Sequence, residues 1–155
     1  CIALALAQAR PETSVYGLDR EEAALALARE NATDNALDRV RFLLGDLLDD
    51  WSRGSVDLVV ANLPYIPTAE CDRLASDVRD FDPRSALDGG PDGLDLVRRL
   101  APRARELCKP GGRLALEIGA EQGNSAQEVV RAASWEHVRL EKDFLGKPRF
   151  IFASC

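Results

Sequence analysis

Apolar residues in this chain follow two rhythms, short β-branched runs and longer stretches with helical spacing, and the two alternate. Val56-Asp57-Leu58-Val59-Val60-Ala61 is short, β-branched and apolar on both faces, which predicts a strand buried inside a parallel sheet. Short segments over 14–19, 40–44 and 113–118 also predict strands. Residues 20–32 are alanine-rich and open on Glu21-Glu22, carboxylates that suit a helix N-terminus, so they predict a helix. Leu94, Val97, Leu100 and Ala101 share one face of a helix predicted over 93–108. Pro102 is expected to kink that helix, and Lys109-Pro110-Gly111-Gly112 to stop it. A further helix is predicted over 122–133, with Val129 and Val130 inward. Residues 138–142 and 149–153 predict two last strands, joined through Asp143-Phe144-Leu145-Gly146 and antiparallel at one sheet edge. Strand and helix alternate until this final pair, so the expected fold class is α/β with a mainly parallel sheet.

Between Pro64 and Gly93 the rhythm stops. Pro67, Pro83, Gly89-Gly90 and Pro91 break the segment, leaving room for one helical turn near 71–78. An irregular stretch of this length beside a strand end reads as a functional loop. The first residues, Cys1-Ile2-Ala3-Leu4-Ala5-Leu6-Ala7, read as a helix already under way that ends near Arg10-Pro11. With no methionine and no basic leader, this opening suggests a fragment cut within a helix, not a signal peptide.

A length of 155 residues predicts one domain spanning 1–155. Lys and Arg total 20 against 26 Asp and Glu, a net charge of −6. That balance argues against a duplex-DNA binder, which needs a basic face for phosphates. No apolar run approaches the roughly 20 residues of a membrane span. Cys1, Cys71, Cys108 and Cys155 are widely spaced and the chain has one histidine, so no metal site is expected. The cysteines read as reduced thiols of a cytoplasmic protein.

Open α/β sheets carry their chemistry just past the carboxyl ends of their strands. There, Asn62-Leu63-Pro64-Tyr65 sets a carboxamide, a fixed backbone carbonyl and an aromatic face around one small hole. The hole suits a planar group bearing an NH2. Asp19 ends its predicted strand, where a carboxylate accepts hydrogen bonds from ribose hydroxyls; the alternative is a cap for the following helix. The basic run Arg98, Arg99, Arg103, Arg105 and Lys109 reads as a solvated helix face.

Several short signatures fall in order: Gly17-Leu18-Asp19, Gly45-Asp46-Leu47, Asn62-Leu63-Pro64-Tyr65-Ile66, Asp82-Pro83-Arg84-Ser85-Ala86-Leu87, Gly89-Gly90-Pro91-Asp92-Gly93-Leu94, Leu116-Glu117-Ile118-Gly119 with Gln122-Gly123, and Asp143-Phe144-Leu145-Gly146-Lys147-Pro148-Arg149. Together they resemble the catalytic domain of the release-factor glutamine methyltransferases (HemK/PrmC), over nearly the whole chain. The resemblance implies a Rossmann-like methyltransferase fold and S-adenosyl-L-methionine as cofactor. It also implies N5-methylation of a glutamine in a peptide chain release factor, with no membrane or direct DNA partner. Asn62 and Tyr65 would be catalytic, and Asn62, Leu63, Pro64 and Tyr65 would hold the substrate amide. Asp19, Asp46, Leu47 and Asn62 would line the cofactor, Asp46 bonding the adenine amino group. Glu117, and Asp143 with Arg149, match the pattern as structural residues. The family's first strand and glycine-rich loop would precede Cys1, and that strand would lie between the Asp19 and Val56 strands. Its Asn-Pro-Pro-Tyr motif is altered here, since Leu63 stands at the first proline. The grip needs only the carbonyl of residue 63, which leucine also has. Two alternatives remain: methylation of adenine N6 or cytosine N4 in nucleic acid, and a non-catalytic paralogue.

Overall fold

In the computed structural model, which describes residues 1–48 and 51–155, contacts divide the chain into two units, Cys1–Asp50 and Trp51–Cys155. Each is described on its own. The first unit holds α1 (Ile2–Ala9), β1 (Tyr16–Asp19), α2 (Glu22–Asp34) and β2 (Arg41–Leu44). β1 and β2 run parallel, from Tyr16 opposite Arg41 to Asp19 opposite Leu44. Ala7, Leu37 and Val40 form a small buried core with Ala3, Leu4, Val15 and Phe42 around it. Gly17 is required in β1 because a Cβ there would lie 2.8 Å from the Phe42 ring. α2 begins two residues later than predicted, because an Asp19 carboxylate oxygen accepts the Glu21 N–H at 2.9 Å and forms a turn before the helix. Its end is a Schellman motif: Leu37 N–H donates to Ala32 O and Ala36 N–H to Thr33 O. Ala36 takes the left-handed position, φ 54°, usually given to glycine.

The second unit holds β3 (Val56–Asn62), the short helices α3 (Thr68–Cys71) and α4 (Ser76–Arg79), a 3-10 turn (Arg84–Ala86), and α5 (Asp95–Leu107). β4 (Cys108–Glu117), a second 3-10 turn (Ala120–Gln122), α6 (Gly123–Ala132), β5 (Glu136–Lys142) and β6 (Pro148–Ser154) follow. The sheet order is β3-β4-β6-β5, with β3 and β4 parallel and β6 antiparallel to both neighbours. The expected hairpin does occupy one edge, with β5 outermost. The fold class is therefore α/β with parallel strands and an antiparallel C-terminal pair, as anticipated. Val97, Leu100, Ala101, Ala104 and Leu107 of α5, with Ala126 and Val130 of α6, are buried, as are Leu114, Leu116, Ile151 and Ala153 of the sheet. Trp135 is locked among them by its indole N–H, 2.9 Å from the Ala101 carbonyl.

Two expectations need correction. β3 is buried on one face only: Val59 faces the core, while Leu58 and Val60 are 45% and 36% exposed. β1 and β3 belong to separate sheets, and among the described residues β3 pairs only with β4. An apolar run reports suitability for burial, not the presence of a cover. Helix α5 ends at Leu107, just before Lys109-Pro110-Gly111-Gly112, as expected, and the chain passes straight into β4. Val56 pairs with Cys108 and Leu58 with Arg113, so these residues form an irregularity inside β4. Gly111 N–H donates to Cys155 O and Cys155 N–H to Gly112 O, which ties it to the C-terminus. Second, the 71–78 region makes two short helices in place of one turn. The basic run also supplies tethers: Arg105 Nε of α5 donates to Ser134 O at 3.0 Å, and Lys109 of β4 pairs with Asp57 at 2.9 Å. Among the described residues no helix is long and apolar enough to cross a membrane.

Candidate active site

The parallel pair β3/β4 determines where Asn62 stands. It closes β3 opposite Glu117, on the same strand face as Leu58 and Val60, because side chains alternate along a strand. Its side chain is exposed, whereas Leu63, Pro64 and Tyr65 beyond it are half-buried. The segment therefore leaves the sheet at a strand's carboxyl end, with an accessible carboxamide followed by a packed turn.

What fixes that turn is the loop after it. Ile66 N–H donates to Leu87 O and Gly89 N–H to Ile66 O, so residues 66 and 88 form a parallel bridge. The glycines are steric necessities: a Cβ on Gly89 would lie 2.6 Å from Pro64 O, and one on Gly93 2.1 Å from Tyr65 O. The Gly89–Gly93 stretch thus packs directly against the turn. Its aspartates hold backbone. Asp88 accepts from Thr68 Oγ1 at 2.6 Å and from Gly90 N–H at 3.0 Å, and the Thr68 bond is the main reason its carboxyl sits below the usual range. Asp92 accepts from Leu94 N–H and from Arg98 Nη1 at 2.8 Å; the Arg98 bonds chiefly hold its pKa down at about 2.

Gln122 ties these pieces together. It is 9% exposed, a buried polar side chain. Its Nε2 donates to Tyr65 O at 2.7 Å and to Asp92 O at 3.0 Å, and its Oε1 accepts the Gly119 N–H at 2.8 Å. The Tyr65 ring lies beside Gly119, 3.5 Å from where a Cβ would be. Sequence reasoning noted Gln122 without giving it a role. In the sequence it stands just past an apolar strand, between Gly119 and Gly123, with nothing there to assign it a role.

In the first unit, Asp19 and Leu44 are register partners and Gly45 N–H donates to Asp19 O at 3.0 Å. This brings Asp19 and the Asp46-Leu47 turn together at the carboxyl ends of parallel strands. Asp19 and Asp46 are exposed, and Leu47 is half-buried in the left-handed region at φ 56°. Asp19 does not cap α2, whose N-cap is Glu21; one of its oxygens forms the turn before the helix, and its carboxylate stays exposed to solvent. Asp143 is structural: Oδ1 accepts the Leu145 and Lys147 N–H groups at 2.9 Å, and Oδ2 lies 3.6 Å from Arg149 Nε. A cavity of about 180 Å³ lined by Cys71, Asp72, Arg79, Arg84 and Leu87 lies elsewhere on the loop. Its arginines are engaged, Arg84 with Asp72 and Asp88 and Arg79 with Asp80. Among the described residues no group of three His, Cys, Asp or Glu side chains is placed to hold a metal ion.

Comparison with known proteins gives this geometry a context. A family model described as a methyltransferase domain matches residues 1–145. A release factor glutamine methyltransferase of Moorella thermoacetica is 46% identical over 154 residues, 98% of this chain and 54% of that protein. One of Caulobacter vibrioides is 44% identical over 151 residues, 97% of this chain and 52% of its own length. The chain therefore spans about half the length of the curated relatives it matches. A solved ribosomal protein L11 methylase from Lactobacillus delbrueckii subsp. bulgaricus shares the fold, with a TM-score of 0.67 at 19% identity, over 99% of this chain and 62% of that one.

Proposed function

Because the chain belongs to the methyltransferase-domain family, we propose that it carries the catalytic core of an enzyme that transfers a methyl group from S-adenosyl-L-methionine to the side-chain nitrogen of a glutamine in a peptide chain release factor. The observation that carries this reading is the Asn62–Tyr65 turn, held at the carboxyl end of a parallel strand with its carboxamide exposed and its tyrosine braced. The identity to proteins named for that activity supports it. The net charge of −6 favours a protein acceptor over nucleic acid.

The residues of the first unit suit the cofactor. Asp19 offers an exposed carboxylate to ribose hydroxyls, and Asp46 and Leu47 offer an acceptor and an apolar contact to a base. The bound cofactor supplies an electrophilic methyl group on sulfur. An amide nitrogen is a weak nucleophile because its lone pair is delocalised into the carbonyl. Asn62 Oδ1 accepts one N–H of the glutamine amide and the Leu63 carbonyl accepts the other, turning the lone pair toward the incoming methyl. Tyr65 packs on the amide plane and keeps water out. Catalysis is positioning and electrostatics. The full-length protein, given labelled cofactor and release factor, DNA or RNA, is expected to label release factor alone and to lose the label when its target glutamine is changed to glutamate. Labelling of nucleic acid, or of nothing, would reject the proposal.

A further inference from the structure

We infer that Gln122 is a positioning residue of this methyl-transfer site, setting the 62–65 turn without touching either reactant; the inference rests on the reading of Asn62 and Tyr65 above. The turn is held at two points. Asn62 is fixed by the strand ladder opposite Glu117. Tyr65 is fixed through its carbonyl, 2.7 Å from Gln122 Nε2. Only Leu63 and Pro64 span the interval, and the proline ring fixes its own φ. The direction of the Leu63 carbonyl and the seat of the Tyr65 ring therefore follow from where Gln122 holds the next peptide.

A carboxamide suits this task better than other side chains. Both hydrogens of one nitrogen are spent on carbonyls from different segments, Tyr65 and Asp92, while the oxygen takes the Gly119 N–H at the end of β4. The turn, the glycine loop and the sheet are thereby joined at one buried atom group. Gly93 and Gly119 keep the space for it: a Cβ on Gly93 would lie 2.2 Å from Gln122 Nε2, and one on Gly119 2.9 Å from Oε1. An alanine at 122 would leave two carbonyls and an N–H without this partner. A glutamate would turn an acceptor toward acceptors.

That last point supplies a readout that a purely structural role would not move. In Gln122→Glu the neutral acid still donates one hydrogen bond, whereas the ionised form faces carbonyl oxygens. Burial raises such a carboxyl's pKa, so function is present below that pKa and lost as pH rises through it. Ionisable side chains on the segments packed around position 122 include Tyr65, Asp92 with Arg98 and Asp95, Glu117, Glu121, Arg149, and Glu128 and Arg131 of α6. The test is steady-state methylation of release factor by the full-length protein, well below each variant's melting temperature. Gln122→Ala is expected to lower kcat about 10- to 100-fold, with the KM for release factor and the Kd for cofactor within about threefold of wild type. Gln122→Glu is expected to regain kcat on acidification, where wild type does not. Gln127→Ala removes a side-chain bond from α6 to the Val138 carbonyl and is expected to keep wild-type kcat. Should wild type not methylate release factor, the underlying reading falls and this inference with it. With an active wild type, unchanged kcat in Gln122→Ala, an equal loss in Gln127→Ala, or a wild-type pH profile in Gln122→Glu would each overturn the positioning role alone.

Discussion

Gly93→Ala, compared with Gly111→Ala, separates backbone conformation from close packing at the site. Both glycines sit at positive φ, 75° and 77°, so an alanine at either pays about 1–2 kcal/mol for the left-handed conformation. Around Gly111 a Cβ meets nothing within 4 Å, and the cost ends there. At Gly93 the Cβ would lie 2.1 Å from Tyr65 O and 2.2 Å from Gln122 Nε2. Those atoms must retreat by about 1 Å or more to reach ordinary contact. The carbonyl belongs to a peptide anchored on both sides and clears the methyl only if the turn itself shifts, and the side chain of Gln122 must swing away as well. Its bonds to Tyr65 O and Asp92 O break, at about 1–3 kcal/mol for each carbonyl left unsatisfied. Gly93→Ala is therefore expected to cost about 2–6 kcal/mol more than Gly111→Ala, a large share of a total stability of about 5–15 kcal/mol. Urea unfolding of both variants measures the difference as a shift in midpoint at unchanged slope. Equal losses at the two positions would refute the argument that the glycine loop and Gln122 brace the turn.

Three further outcomes follow from the geometry. Asp92, held at a pKa of about 2 chiefly by Arg98, has a depressed folded-state value, so its contribution is whole above its unfolded pKa of about 3.9 and is lost as pH falls from there through about 2. Both partners are nearly half exposed, which limits the effect to under about 1 kcal/mol; the wild-type urea midpoint should fall more steeply over that acid range than the midpoint of Arg98→Ala, and parallel curves would contradict this. Ala36→Gly should stabilise the chain by about 0.5–1 kcal/mol, because glycine occupies the left-handed position of the α2 cap without strain, partly offset by unfolded-chain entropy; a lower melting temperature would tell against that cap. Cys1 is exposed, whereas burial raises the thiol pKa of Cys71 and pushes that of Cys108 to about 11; a thiol reagent at neutral pH should therefore take Cys1 first and reach Cys71 and Cys108 only with denaturant, and similar rates for all of them would oppose this.

Much of the fold was legible because its signals are local. The face of Leu94, Val97, Leu100 and Ala101 announced α5, and the helix indeed buries Leu94, Val97, Leu100 and Ala101, running on through Pro102. The short apolar runs over 40–44, 56–61 and 113–118 announced β2, β3 and β4 in the same way. What escaped depends on partners remote in sequence. Val56–Ala61 carries the composition of a doubly covered strand, yet exposure of Leu58 and Val60 depends on what lies opposite, which a strand's own residues do not encode. Lys109-Pro110-Gly111-Gly112 does end α5, but its tie to Cys155 within β4 depends on a partner remote in sequence. At the candidate site, Asn62 and Tyr65 were legible from residue types at a strand end, whereas Gln122 has no periodicity or charge to mark it. Its importance appears only when Tyr65, Asp92 and Gly119 are brought around it.

The central claim is that the Asn62 carboxamide grips the hydrogens of an acceptor amide. Its most direct test is single-turnover methylation of release factor by the full-length Asn62→Ala protein, with cofactor affinity measured alongside. Removing one acceptor is expected to raise the barrier by about 2–4 kcal/mol, a loss of roughly 30- to 1,000-fold in the methyl-transfer rate, with cofactor Kd within about threefold of wild type. A methyl-transfer rate close to wild type in that variant would contradict the account.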